Sequence, residues 1–157
     1  MPKNNQEEKT GAKVGVEEDV EQKYLELNLL DSQMKQAQNQ IQAIEEQMIQ
    51  TTISVQAINE IEKLNKDSEV LIPITPGVFA KGRIVNTKEL IVSIGADTCV
   101  TKTPADTKKM LQEKIDELKS YNQRLLLNIQ QLNEAAVKVE SQLKELVDKA
   151  NKANKGA

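Results

Sequence analysis

The sequence predicts an α+β fold: a long antiparallel coiled-coil helical hairpin that carries a β-insert of two hairpins and assembles with other subunits. Three observations predict it. Two long stretches, 16–64 and 105–155, contain neither Gly nor Pro and repeat apolar residues three and four apart. Between them, residues 67–103 turn to Val, Ile and Thr and hold Pro73, Pro76, Gly77, Gly82 and Gly95. The 157 residues include one Phe, two Tyr and no Trp, so the side chains that fill most compact cores are nearly missing. With 29% charged residues, the composition is that of long helices.

Residues 1–15 are polar, with Gly11 and Gly15, and read as a disordered tail. The first coiled-coil helix is expected over 16–66. Its seam is Leu27, Leu30, Met34, Ala37, Ile41, Ile44, Met48, Thr51, Val55 and Ile58. Only Thr51 is polar. The second helix is expected over 104–150. Thr103 suits its N-cap, Pro104 its first position, and Asp106 its positively polarised first turn. Its seam is Leu111, Ile115, Leu118, Asn122, Leu125, Ile129, Leu132, Ala136, Val139, Leu143, Leu146 and Ala150. Residues 151–157 should fray.

Each helix would be roughly 70 Å long at about 1.5 Å per residue. Matched lengths suggest that they fold back on one another. One register pairs Leu27 with Leu146, Leu30 with Leu143, Met34 with Val139, Ala37 with Ala136 and Ile58 with Ile115. Heptad runs also match one repeat away, so apolar pairing alone does not choose. This register has the merit of placing the two polar exceptions, Thr51 and Asn122, in one layer, where a buried polar pair specifies alignment.

The insert, 67–103, reads as four strands: Val70–Ile74, Val78–Val85, Leu90–Ile94 and Thr98–Lys102. Short links with turn residues make two hairpins. Alternation puts Val78, Ala80, Gly82 and Ile84 on one face; Leu90, Val92, Ile94 and Val100 form another apolar row. Such a segment is too small to fold without a metal or disulfides, and the chain offers neither. Its strands are therefore expected to complete their sheet with strands of other subunits. The candidate oligomerisation residues are Val78, Phe79, Ile84, Leu90, Val92, Ile94 and Val100.

The inventory argues against an enzyme. His is absent, which removes the commonest general base and metal ligand. A lone Cys99 builds no thiolate metal site. Gly77 to Gly82 superficially resembles a phosphate loop but lacks the Gly-Lys-Ser/Thr ending. No cofactor is expected. A net charge of −3, without a basic stripe or stacking aromatics, makes nucleic acid a poor partner. No apolar run approaches 18 residues, so no membrane span is expected. The single Cys and the absence of a signal-like start suggest the cytoplasm.

Val70-Leu-Ile-Pro-Ile74, Gly77-Val-Phe-Ala-Lys-Gly82-Arg-Ile84, Ile91-Val-Ser-Ile-Gly-Ala96 and Val100-Thr-Lys-Thr103 resemble the hairpin region of alpha-class prefoldin subunits. The resemblance departs at Asp97-Thr98-Cys99 and Thr101. It implies a hexamer of two alpha and four beta-type subunits, with a shared β-barrel platform and projecting coiled coils. It also implies an ATP-independent chaperone (a holdase) that binds unfolded proteins at the coiled-coil tips and passes them to a group II chaperonin. An unfolded client offers apolar side chains, so its site must expose apolar surface. Tyr24, Leu25, Leu29 and Val147 lie off the seam near the tip; Leu27 and Leu146 become available if the end frays. These six are the candidate client-binding residues. A filament-forming or tethering coiled-coil protein is the alternative.

Overall fold

The computed structural model describes residues 5–155, with side-chain surroundings from 15 to 153. Its element order is helix α1 (Asn5–Lys63), strands β1 (Glu69–Thr75), β2 (Val78–Arg83), β3 (Leu90–Gly95) and β4 (Thr98–Lys102), and helix α2 (Pro104–Lys155). This is the α+β arrangement expected, with strand limits within two residues of the sequence reading. Helix α1 begins inside the stretch read as a tail. Gln6, Glu7, Glu8, Lys9 and Ala12 are good helix formers, and each Gly there costs only about 1 kcal/mol. Residues 1–4, part of that tail reading, lie outside the described residues, as do 156 and 157 at the other end.

The chain divides into two compact units, one of residues 1–42 with 123–157, the other of 43–122. In the first, the chain-end portions of α1 and α2 pack through Ala37, Leu125, Ala136 and Val139, with Ala37 only 4% exposed. In the second, the remaining helix portions pack through Ile44, Ile58, Ile115 and Leu118, and this unit carries the strands. Every one of these is a seam position, as the heptad pattern requires.

The helix alignment corrects one expectation. In the sequence-derived register, Asn59 and Glu62 would lie level with Lys114 and Leu111. Instead both meet Lys108, whose Nζ donates to Asn59 Oδ1 at 3.1 Å and to Glu62 Oε2 at 2.6 Å. The chain-end unit shows the same displacement. Asp19, Gln22 and Lys23 line a groove with Gln142, Glu145, Leu146 and Lys149, not with residues around 150–154. The alignment is thus about one heptad from the expected one. Thr51 and Asn122 do not pair: the Thr51 hydroxyl donates to Gln47 O at 2.7 Å, and Asn122 Oδ1 is buried with no partner. The equal-length pairing of Ala37 with Ala136 goes with it. The physical reason lies at the insert. The observed alignment brings the start of α2 level with the end of α1, which buries Pro104 and leaves Thr107 only 5% exposed.

The start of α2 follows the sequence reading closely. Asp106 N–H donates to Thr103 Oγ1 at 3.1 Å, and that hydroxyl donates to Asp106 Oδ2 at 2.9 Å. Thr103 thus caps the helix through its hydroxyl, and the Asp106 carboxylate holds that hydroxyl in place rather than reaching the Thr103 N–H.

The strands form two separate antiparallel pairs, β1–β2 and β3–β4. In the first, Val70 lies opposite Gly82, Ile72 opposite Ala80 and Pro73 opposite Phe79. Pro76-Gly77 makes the turn, with Gly77 at φ 82°, the position where a type II turn demands glycine. Gly82 also permits a close approach, since a Cβ there would sit 2.7 Å from Ile72 Cδ1. In the second pair, Leu90 lies opposite Lys102 and Val92 opposite Val100. Its turn residues Ala96 and Asp97 both have positive φ, 46° and 55°. That hand suits a tight hairpin but is strained for Ala. Strand β2 stops at Arg83, short of the expected Val85. Ile84 nevertheless keeps its backbone paired, donating to Ser68 O at 3.0 Å and accepting from Asp67 N–H at 2.8 Å.

Candidate functional site

The described residues hold no cluster of three or more His, Cys, Asp or Glu that could bind a metal. Among the described residues no helix is long and apolar enough to cross a membrane. The chemistry on offer is apolar surface, and it lies in three places.

The first is the strand insert. Of the candidate oligomerisation residues, Val78, Phe79 and Ile94 are exposed; Ile84, Leu90, Val92 and Val100 are half-buried. The pairing registers show that they do not share one face. Side chains alternate along a strand, so Phe79 stands on the face of its cross-strand partner Pro73, with Leu71 and Lys81. Val78, Ala80 and Gly82 occupy the opposite face. Lys81 Nζ pairs with Glu69 Oε1 at 3.3 Å beside the Leu71–Phe79 patch. Val92 and Val100 are directly opposed and share a face with Leu90. Five exposed apolar residues of the insert were not singled out from sequence: Leu71, Ile72, Ile74, Val85 and Ile91, the last 82% exposed. A signal was available. Apolar residues occupy both parities of β1 and β3, as they do in strands covered on both faces.

The second place is the chain-end unit. Tyr24, Leu25 and Leu29 are exposed, Leu25 by 63%. Leu27, Leu146 and Val147 are half-buried. Leu146 forms part of the groove described above. Val147, expected off the seam, is half-buried together with Leu146. The surrounding charges are local: Lys23 Nζ meets Glu26 Oε2 at 2.7 Å and Lys35 Nζ meets Asp31 Oδ2 at 2.9 Å. The hydrogen bond that Lys35 donates to Asp31, then the charge of that carboxylate, raises the Lys35 pKa above its ordinary value.

The third is a groove on the flank of the strand-bearing unit. Met48, Ile49, Thr52, Ile53 and Val55 of α1 line it with Gln112, Ile115 and Lys119 of α2. Thr51, Thr52 and Ser54 turn their hydroxyls onto their own helix, donating to the carbonyls of Gln47, Met48 and Gln50. The adjoining helix surface therefore presents methyl and methylene groups rather than hydroxyls.

Known proteins share this architecture and sequence. A family model described as "Prefoldin subunit" matches residues 30–152. Prefoldin subunit alpha 1 of Methanocaldococcus jannaschii is 29% identical over 136 residues, covering 87% of this chain and 93% of that protein. Prefoldin subunit alpha of Methanococcus aeolicus is 25% identical over 130 residues, covering 83% and 88%. Human prefoldin subunit 5 is 22% identical over 98 residues, 62% of this chain and 64% of that protein. A cryo-EM structure of filamentous PFD from Methanocaldococcus jannaschii superposes with a TM-score of 0.68. That structure is 16% identical and covers 78% of this chain and 98% of its own.

Proposed function

The chain belongs to the prefoldin family, a family of non-enzymatic chaperones, and from that premise we propose that it is an alpha-class subunit of an ATP-independent holdase. In this reading two copies join four beta-type subunits, and the strand pairs merge into a common β-barrel platform. Unfolded polypeptides bind where the paired helices end, at Tyr24, Leu25, Leu27, Leu29, Leu146 and Val147. The cargo then passes to a group II chaperonin. The work is done in the cytoplasm.

One observation carries the assembly half of this reading. Two isolated strand pairs expose Leu71, Ile74, Val78, Phe79, Ile91 and Ile94, whereas a lone two-stranded pair is marginal in water. Neighbouring strands would cover these side chains and pair the open edges. The client half is supported by Tyr24, Leu25 and Leu29, which crowd one short stretch of exposed helix. Binding of this kind needs no nucleotide, because apolar burial alone drives it.

The test is suppression of aggregation of a denatured client by the assembled protein, without nucleotide. The assembly should protect. Removal of 1–26 and 147–157 should abolish protection while leaving the assembly intact. Full protection by the shortened protein would overturn the placement of the client site. Self-assembly into filaments is the less favoured reading. The likeness to the filamentous structure stands at 16% identity and bears on the fold alone.

A further inference from the structure

Asn122 is the one described side chain with a buried polar atom lacking a partner, and it sits in the seam between the helices. Neither assembly nor client binding uses it. A buried orphan acceptor of this kind is costly, and it persists only where the surroundings outweigh the cost.

The compensation is visible within the same unit. The observed alignment sets Asn122 about level with Ile44, which is buried and apolar. It is held at the insert by Lys108, bonded to both Asn59 and Glu62, and by the burial of Pro104 and Thr107. Displacing α2 by one heptad would reverse this balance. Asn122 would come level with Thr51, whose hydroxyl now serves only its own helix. Lys108 would lose Asn59 and Glu62. Heptad spacing of both seams keeps apolar layers in both arrangements, while the observed one sets Asn122 level with apolar Ile44. Val55 lies about level with Leu111 in one and with Leu118 in the other.

We propose that the paired helices of the strand-bearing unit interconvert between two alignments one heptad apart, with Lys108 holding the observed one and Asn122 favouring the other. The displacement is about 10 Å along the helix axis.

Cysteine cross-linking of the full-length chain, in whatever assembly it purifies in, tests this. Cys99→Ser removes the native thiol. Val55→Cys with Leu111→Cys reports the observed alignment, and Val55→Cys with Leu118→Cys reports the displaced one. A pair outside both alignments, Val55→Cys with Leu132→Cys, sets the background. The displaced pair should cross-link as a minority above background. Lys108→Ala should raise the ratio of displaced to observed product about fivefold or more. Asn122→Leu, which removes the orphan acceptor, should lower it by a similar factor. Each variant is read against its helical circular-dichroism signal, so a folding defect in one leaves the other decisive. A displaced pair that stays at background even with Lys108→Ala overturns the proposal. So does a ratio that neither substitution moves.

Discussion

The helices and the strands of this chain solve the same problem in opposite ways. A helix satisfies its backbone internally, so two helices need only one apolar stripe each to close a seam. Here that seam is closed within the chain: Ala37, Ile44, Ile58, Ile115, Leu118, Leu125, Ala136 and Val139 are all buried. A strand pair leaves two edges and two faces to be covered, and this chain does not cover them. Leu71, Ile74 and Ile91 remain exposed, Ile74 by 68%. Apolar residues are plentiful in both regions, so hydrophobicity does not separate them. What separates them is whether the backbone geometry can be completed by one chain.

That contrast can be broken experimentally in graded ways. The largest effect should follow Val92→Asp with Ile94→Asp, which places charge on the surface assigned to neighbouring strands. Co-purification with a beta-type subunit should be lost, while the helical circular-dichroism signal persists. A double variant that still sediments with its partner would refute the shared sheet. Next, Tyr24→Ser, Leu25→Ser and Leu29→Ser together should weaken protection of a denatured client several-fold, with the mass of the assembly unchanged. These side chains are exposed, so their loss should cost little stability.

Smaller effects sharpen the helical side. Ile58→Ala should destabilise by about 2–4 kcal/mol, read from thermal or denaturant unfolding, because the site is buried in a seam built by this chain alone. Thr103→Ala should cost about 1 kcal/mol through loss of the bond from Asp106 N–H. The smallest effect belongs to Lys35→Met. Its folded-state value is raised, so any contribution is present below the ordinary lysine range and lost as pH rises through that value. For an exposed pair the change at neutral pH should lie within measurement error.

The legible parts of the fold are those where a residue acts on its own neighbours. Thr103, Pro104 and Asp106 announced a helix start that the structure reproduces, with Thr103 capping Asp106 N–H. Pro76-Gly77 announced its turn through chemistry confined to two residues. Alignment between the helices was not legible to better than one heptad. Every heptad-spaced seam matches itself at seven-residue intervals, and the polar pair used to choose among registers chose wrongly. The deciding contacts were Lys108 with Asn59 and Glu62, all polar and none on the list of seam residues. The turn at Gly95-Ala96-Asp97 was placed correctly, Gly95 itself having φ 101°, but Ala96 gives no sign in sequence of its own left-handed backbone. On the strands, alternation read from sequence put Val78, Ala80 and Gly82 on one face, and the pairing register sets Phe79 on the other, opposite Pro73. At the chain ends, Tyr24, Leu25 and Leu29 could be read as outward from spacing alone, whereas the burial of Val147 depends on the alignment of the two helices.

The central claim is that the strand pairs are unfinished within one chain. Analytical ultracentrifugation at submicromolar concentration, alone and after mixing with a beta-type subunit, tests it most directly. The account predicts that the mixture sediments as a single defined hetero-oligomer. A well-folded monomer that stays monomeric in both samples would contradict it.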